Sequence, residues 1–239
     1  MSENASSQGQ PQPAGVQAAA RSTLVKTAAA IAIFGLALFL SAGRLDWPLA
    51  WVYLGLVFIS TLIVTRFMPA ELVAERGQLR EDARRGDIPL ALIIARVGPL
   101  AMLIVAGLDR RFSWSPGFPV WLPWAGGAAF VVGLVISDWA MAVNRFFSGL
   151  VRIQTERGHT VVSAGPYGWV RHPGYAGGLL CNLVTPLMLT SWWALVPTAV
   201  VVVVTVLRTA LEDRTLRAEL DGYAAYAQRV RYRLLPGIW

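Results

Sequence analysis

Charge is scarce in this sequence. Charged residues fill 15% of its 239 positions, against about 25% in soluble globular chains. Hydrophobic residues make up 55% and the mean hydropathy is +0.51. Such a chain has too little polar surface to cover itself in water. That excludes an ordinary soluble protein and points to an integral membrane one. The single Cys181 excludes a disulfide framework, and with only His159 and His172 beside it a Cys/His zinc site is excluded as well, so no metal is expected. The net charge of +7 reads, in a membrane chain, as topology and attraction to anionic lipid rather than as nucleic-acid binding.

Apolar segments are what the sequence has in abundance. Residues 1–22, rich in Ser, Gln, Pro, Gly and Ala, are expected to be a disordered tail. The first apolar run begins too late for a cleaved signal peptide. Runs follow at Thr27 to Ala42, Trp47 to Thr65, Ile88 to Leu108 and Val120 to Val143. Each approaches the ~20 residues that cross a bilayer as a helix. Residues 23–143 are thus expected to hold four spans. From Tyr175 to Leu207 no residue is charged. One helix of that length would be about 50 Å long, so the stretch reads as a hairpin of two short helices turning near Thr190-Ser191-Trp192. The expected fold is all-α, a polytopic transmembrane bundle of about six spans.

The distribution of basic residues orients it. With the N-terminus inside, 17 of the 21 Lys and Arg fall in inner segments and only Arg44, Arg110 and Arg111 in outer loops. The expectation is a protein of the cell (inner) membrane with both termini cytoplasmic. Trp47, Trp51, Trp114, Trp121, Trp124, Trp192 and Trp193 are expected at the outer interface. Arg96 falls within the third span, where a cation is costly. A buried pair with Asp138 and a role in an acceptor channel are both open to it. The charged stretch from Arg66 to Asp87 reads as a surface helix on the membrane, and Cys181 as a small buried apolar residue.

Two inner stretches interrupt the hydrophobicity. In Gly165-Pro166-Tyr167-Gly168-Trp169-Val170-Arg171-His172-Pro173-Gly174-Tyr175, Gly-Pro breaks structure and Pro173 suits the first turn of a helix. Such a helix start favours an anion, with Arg171 and His172 adding charge or hydrogen bonds. It reads equally as an interfacial helix start with Arg171 snorkelling to headgroups. In Arg208-Thr209-Ala210-Leu211-Glu212-Asp213, Arg208 and Glu212 share a helix face and suit an i,i+4 ion pair. Tyr223 and Tyr226 read as packing residues, and Arg214, Arg217, Glu219 and Asp221 as a solvated face.

Taken in order, these pieces resemble the isoprenylcysteine carboxyl methyltransferase family, which is related to phospholipid N-methyltransferases. The resemblance runs through Asn144-Arg145-Phe146-Phe147-Ser148, Val151-Arg152-Ile153-Gln154, His159-Thr160-Val161-Val162, Gly165-Pro166-Tyr167, Arg171-His172-Pro173-Gly174-Tyr175, Arg208-Thr209-Ala210-Leu211-Glu212 and Tyr223, Tyr226, Val230 and Pro236. Asp213 stands where a second Glu is common in the family, and the six expected spans are fewer than in eukaryotic members.

The resemblance implies S-adenosylmethionine (SAM) as cofactor, bound by residues 144–239, which comprise a helical hairpin and a C-terminal helix. The implied cofactor-binding residues are Gln154, His159, Thr160, Val161, Val162, Tyr167, His172, Pro173, Gly174, Tyr175 and Glu212, with Arg208 positioning the acceptor. That acceptor is implied to be a lipidic small molecule among the membrane lipids, foremost an isoprenylcysteine-like carboxyl group. Phospholipid N-methylation, a reductase of the sterol-reductase type and a non-enzymatic transporter or scaffold are the alternatives. A carboxylate acceptor needs orientation but no base, whereas an amine must lose a proton.

Overall fold

The computed structural model describes residues 13–67, 69, 73 and 86–239. The charged stretch following Phe67, expected as a surface helix, lies almost entirely outside the described residues. Seven helices order the fold among those described. Helix α1 is Pro13–Ala42 and α2 is Pro48–Phe67. Helix α3, Asp87–Phe112, contains a π-helical turn at Ile93–Val97. Then follow α4 Leu122–Val143, α5 Pro173–Met188, α6 Leu195–Glu219 and α7 Tyr223–Arg229. No strand occurs among the described residues.

Five of these helices, including Arg21–Ala42 of α1, are long and apolar enough to cross a membrane. Their outward faces carry exposed Leu40, Phe58, Leu62, Val132, Val135, Val200 and Val203, which suit hydrocarbon. A helix satisfies most of its backbone groups internally, as lipid demands. The chain is an all-α polytopic membrane bundle.

The details depart from the sequence expectation in four places. Residues 13–22 are helical rather than a loose tail. Helix α5, with 16 residues and Pro186 inside it, covers only roughly 24 Å and is not among the five long helices. Its partner α6 is no short hairpin arm. It continues for 25 residues, through the position where the sixth span was expected to end and well into the charged segment. Trp47, expected at an interface, is 2% exposed within the core, whereas Trp51, Trp121 and Trp124 are exposed.

Small residues let the helices approach. A Cβ on Gly177 of α5 would lie 2.5 Å from the Gly133 carbonyl oxygen of α4, and one on Gly133 would lie 2.7 Å from Cys181 Sγ. Without a hydrophobic drive between helices in lipid, such close packing holds the bundle. At one end of the bundle Asp109 is buried and accepts from Ser115 N (2.7 Å), Ser115 Oγ (2.5 Å) and Ser191 Oγ (2.5 Å). This ties the end of α3 to the turn between α5 and α6, where Thr190 adopts a left-handed φ of 57°. The opposite end gathers the start of α3, residues 144–172, the charged part of α6 and the C-terminal segment.

The α4–α5 contact carries a prediction. Gly177→Ala forces a methyl against backbone atoms and should destabilise the protein by about 1–3 kcal/mol. Gly178→Ala, where a Cβ meets nothing within 4 Å, should not. Thermal unfolding in detergent distinguishes the two.

Candidate active site

Asp213 organises the polar end of the bundle. It lies on α6 and is 1% exposed, so its charge must be compensated. Arg171 Nε and Nη2 donate to it at 2.7 and 3.2 Å, Arg233 Nε at 3.0 Å, Arg217 Nε at 3.1 Å and the Tyr223 hydroxyl at 3.1 Å. Arg171 Nη1 in turn donates to the carbonyls of Val230 (2.7 Å) and Arg231 (2.6 Å). The backbone N–H groups of Arg171 and His172 donate to Tyr232 and Arg233 carbonyls, both at 2.9 Å. The C-terminal segment is thereby stapled beside the start of α5. Arg171 is buried, not snorkelling, and Arg217 is bound rather than simply solvated.

Pro173 begins α5, as its sequence suggested, and His172 precedes it. The imidazole sits between two carboxylates: Nε2 is 3.5 Å from Asp213 Oδ1, and Nδ1 is 3.8 Å from Glu212 Oε1. Tyr175, one turn on, donates its hydroxyl to Glu212 Oε2 at 2.6 Å and stacks on His172 with centroids 5.9 Å apart.

The i,i+4 pair between Arg208 and Glu212 is not made. Arg208 instead turns to Asp87, the first residue of α3. Its Nε and Nη2 reach the two carboxylate oxygens at 2.7 and 2.8 Å. Nη2 also donates to Gly149 O at 2.7 Å, and the guanidinium lies 5.4 Å from the Tyr175 ring centroid.

Above these groups lies a cavity of about 260 Å³, close to the lower end of the ~300–1,000 Å³ usual for small-molecule sites. Ten residues singled out from sequence line it: His159, Thr160, Val161, Val162, Tyr167, His172, Gly174, Tyr175, Arg208 and Glu212. Two do not. Pro173 is buried as the helix start. Gln154, wholly buried, is a loop strut: its side chain donates to Phe146 O at 2.6 Å and accepts from Arg157 Nη1 at 2.6 Å.

The walls also include residues that sequence reasoning did not assign to a site. Asn144, Phe146 and Phe147 come from the loop after α4, and Ala91 and Ala95 from α3. Tyr223 and Tyr226, expected to be packing residues, line the cavity as well. Tyr226 also donates to Tyr167 O at 2.7 Å. Their spacing of three on α7 places both rings on one face, which was the available signal.

Arg96 does not meet Asp138. It donates to Ala95 O at 2.9 Å, while Asp138 accepts from Ser60 Oγ at 2.7 Å.

Burial shifts the titrations around the cavity. It holds the phenols of Tyr167 and Tyr223 neutral, well above their ordinary value, and pushes Tyr226 up to about 12. Burial, followed by the nearby Arg152 and Arg157, lowers the pKa of His159. A neutral ring suits its contact, because Nδ1 lies 3.2 Å from the Gln154 N–H as acceptor, which leaves the proton on Nε2.

Comparison with known proteins matches this site. Residues 126–218 fit the family model of the isoprenylcysteine carboxyl methyltransferase (ICMT) family. Protein-S-isoprenylcysteine O-methyltransferase B of Arabidopsis thaliana is 31% identical over 146 residues, 59% of this chain and 74% of that protein. The chain belongs to the isoprenylcysteine carboxyl methyltransferase family. The A form from the same plant is 35% identical over 114 residues, 47% of this chain and 54% of that protein. A probable protein-S-isoprenylcysteine O-methyltransferase of Oryza sativa subsp. indica is 30% identical over 112 residues, 45% and 59% of the two chains. Membership makes this chain a membrane methyltransferase. The matched residues include both sides of the cavity, from His159 to Glu212.

Two outcomes follow from the site. Asp213→Ala leaves buried Arg171 uncompensated, a change that typically costs ~3–5 kcal/mol. It should lower the unfolding midpoint and expose residues 230–239 to protease. For His159, the folded-state pKa lies below the ordinary 6.5. Its contribution to stability is therefore full above that value and declines as pH falls below it. With only two histidines in the chain, an NMR titration should show the His159 midpoint below 6.5.

Proposed function

We propose that this chain transfers the methyl group of SAM to the carboxylate of an isoprenylcysteine-type acceptor held in the membrane. The observation that carries this reading is the single cavity into which Arg208, Tyr175, His172 and Glu212 all project. The family membership and the names of the relatives give it the substrate class.

The residues present fit the donor. SAM has a carboxylate, an ammonium, a sulfonium and an adenosine. Glu212 is a carboxylate partner for the ammonium or a ribose hydroxyl, His172 offers a hydrogen bond at the helix start, and Thr160 a hydroxyl. The rings of Tyr167, Tyr175, Tyr223 and Tyr226 provide faces for a cation or a base. When bound, SAM supplies an electrophilic methyl group. The chain's own residues orient the partners and keep water out.

Arg208 Nε and Nη2 are engaged by Asp87 and Gly149. Its remaining nitrogen, Nη1, has no hydrogen bond among the described residues and serves the acceptor carboxylate. A carboxylate acceptor needs no general base. Glu212, already bonded to Tyr175, is poorly disposed to deprotonate an amine, which favours O-methylation over phospholipid N-methylation. The lining residues Ala91, Ala95, Leu150 and Val151 offer an apolar side for a lipid tail. The charge distribution supports a location in the cell (inner) membrane with the cavity and both termini on the cytoplasmic side.

Transfer of labelled methyl from SAM is the direct test, with a prenylcysteine analogue and phosphatidylethanolamine as competing acceptors. Label in a base-labile ester on the prenylcysteine supports the reading, and label on the lipid amine alone overturns it. His172→Ala and Glu212→Ala should each weaken SAM binding roughly tenfold or more. Arg208→Ala should lower turnover on the order of 100-fold, with a smaller effect on SAM affinity. Calorimetry and steady-state kinetics separate these effects.

A further inference from the structure

We infer that Asp87 is the positioning residue of the acceptor site, fixing Arg208 so that one nitrogen, Nη1, meets the acceptor carboxylate. This rests on the role assigned to Arg208 above. The two residues are 121 positions apart, Asp87 at the start of α3 and Arg208 on α6, where Arg208 lines the cavity. Both are buried, with 7% and 5% exposure.

The contacts fix the plane of the guanidinium. Asp87 Oδ1 and Oδ2 accept from Nε and Nη2 at 2.7 and 2.8 Å, a bidentate pair that defines the plane of the group. Gly149 O takes a second hydrogen bond from Nη2, and the Tyr175 ring lies 5.4 Å from Cζ. A free arginine side chain would lose rotamer entropy on being ordered. Here that ordering is complete before any acceptor arrives. Asp87 also accepts from Val151 N at 2.8 Å, so the same carboxylate holds the 149–151 backbone that lines the cavity beside Arg208.

Among the described residues Asp87 pairs with Arg208 and accepts from Val151 N, and forms no hydrogen bond or ion pair with His172, Glu212 or Tyr167, the groups assigned to the donor. Its loss should therefore fall on the acceptor half of the reaction. Removing its charge also leaves Arg208 uncompensated, a stronger but unaligned attraction for an anion. Turnover and acceptor KM are then expected to separate. Turnover per SAM-binding site falls while KM holds or drops; counting by SAM-binding sites separates this from a loss of folded protein, which lowers apparent turnover at unchanged KM.

The test is a double-mutant cycle with Asp87→Asn, Arg208→Ala and both together, read as kcat, acceptor KM and SAM affinity. Asp87→Asn should lower kcat at least about tenfold, leave SAM affinity within about twofold, and not raise acceptor KM. In the double variant, Asp87→Asn should add nothing to the loss caused by Arg208→Ala. Asp87→Glu, which keeps the charge but displaces the guanidinium, should bind SAM normally and lose turnover. Wild-type turnover in Asp87→Asn or Asp87→Glu would overturn the inference. So would multiplicative losses in the double variant. Loss of folded protein or of SAM affinity in Asp87→Asn, not seen in Arg208→Ala, would do the same by assigning Asp87 to the loop instead. If Arg208→Ala itself keeps full turnover, the acceptor role of Arg208 fails and this inference fails with it. If Arg208→Ala is impaired and Asp87→Asn is not, only the inference fails.

Discussion

A carboxylate buried at 1% exposure can persist only if cations come to it, and three arginines come to Asp213. Each arrives from a different part of the chain: Arg171 before α5, Arg217 one turn along α6, and Arg233 in the C-terminal segment. Meeting Asp213 therefore fixes three segments against one another. The consequence reaches the cavity directly. His172, next to Arg171, is held with its backbone N–H on Arg233 and its ring between Asp213 and Glu212. Tyr223 is held through its hydroxyl on the same carboxylate. Much of the cavity's far wall is thus a by-product of compensating one buried charge.

The bundle was legible because hydropathy is a local signal. Runs near 20 residues gave the long helices, and Pro173 and Thr190-Ser191 marked a helix start and a turn where the structure has them. What failed were inferences from position along a run. Trp47 begins an apolar run and looks interfacial, yet it packs into the core with Phe39 and Tyr53. The apolar run and the charged helix after it read as separate elements, whereas Leu195–Glu219 is one continuous helix.

The site was legible to a different depth. The motif residues converge on one cavity because local segments carry them, and ten of the twelve line it. Their partners were not legible. Helical spacing suggested Arg208 with Glu212, and the structure pairs Arg208 with Asp87 across 121 positions. Asp213, which stands where a second Glu is common in the family, accepts from three arginines and Tyr223. Periodicity reports which face a residue occupies. It does not report which distant element packs against that face.

Asp87, Glu212 and Asp213 differ in a way that bears on their roles. Asp213 is taken by guanidinium groups and a hydroxyl, and Asp87 by a guanidinium fork and a backbone N–H. Both charges are neutralised within the protein. Glu212 receives a neutral phenol from Tyr175 and has His172 Nδ1 at 3.8 Å, with its side chain 23% exposed. Among the described residues no arginine or lysine pairs with it. Glu212 lines the cavity, as does Arg208, whose Nη1 has no hydrogen bond among the described residues. A ligand with a cationic group for Glu212, beside one with an anionic group for Arg208, would complete the electrostatics that the protein leaves open. An ammonium-bearing sulfonium donor and a carboxylate acceptor have those charges.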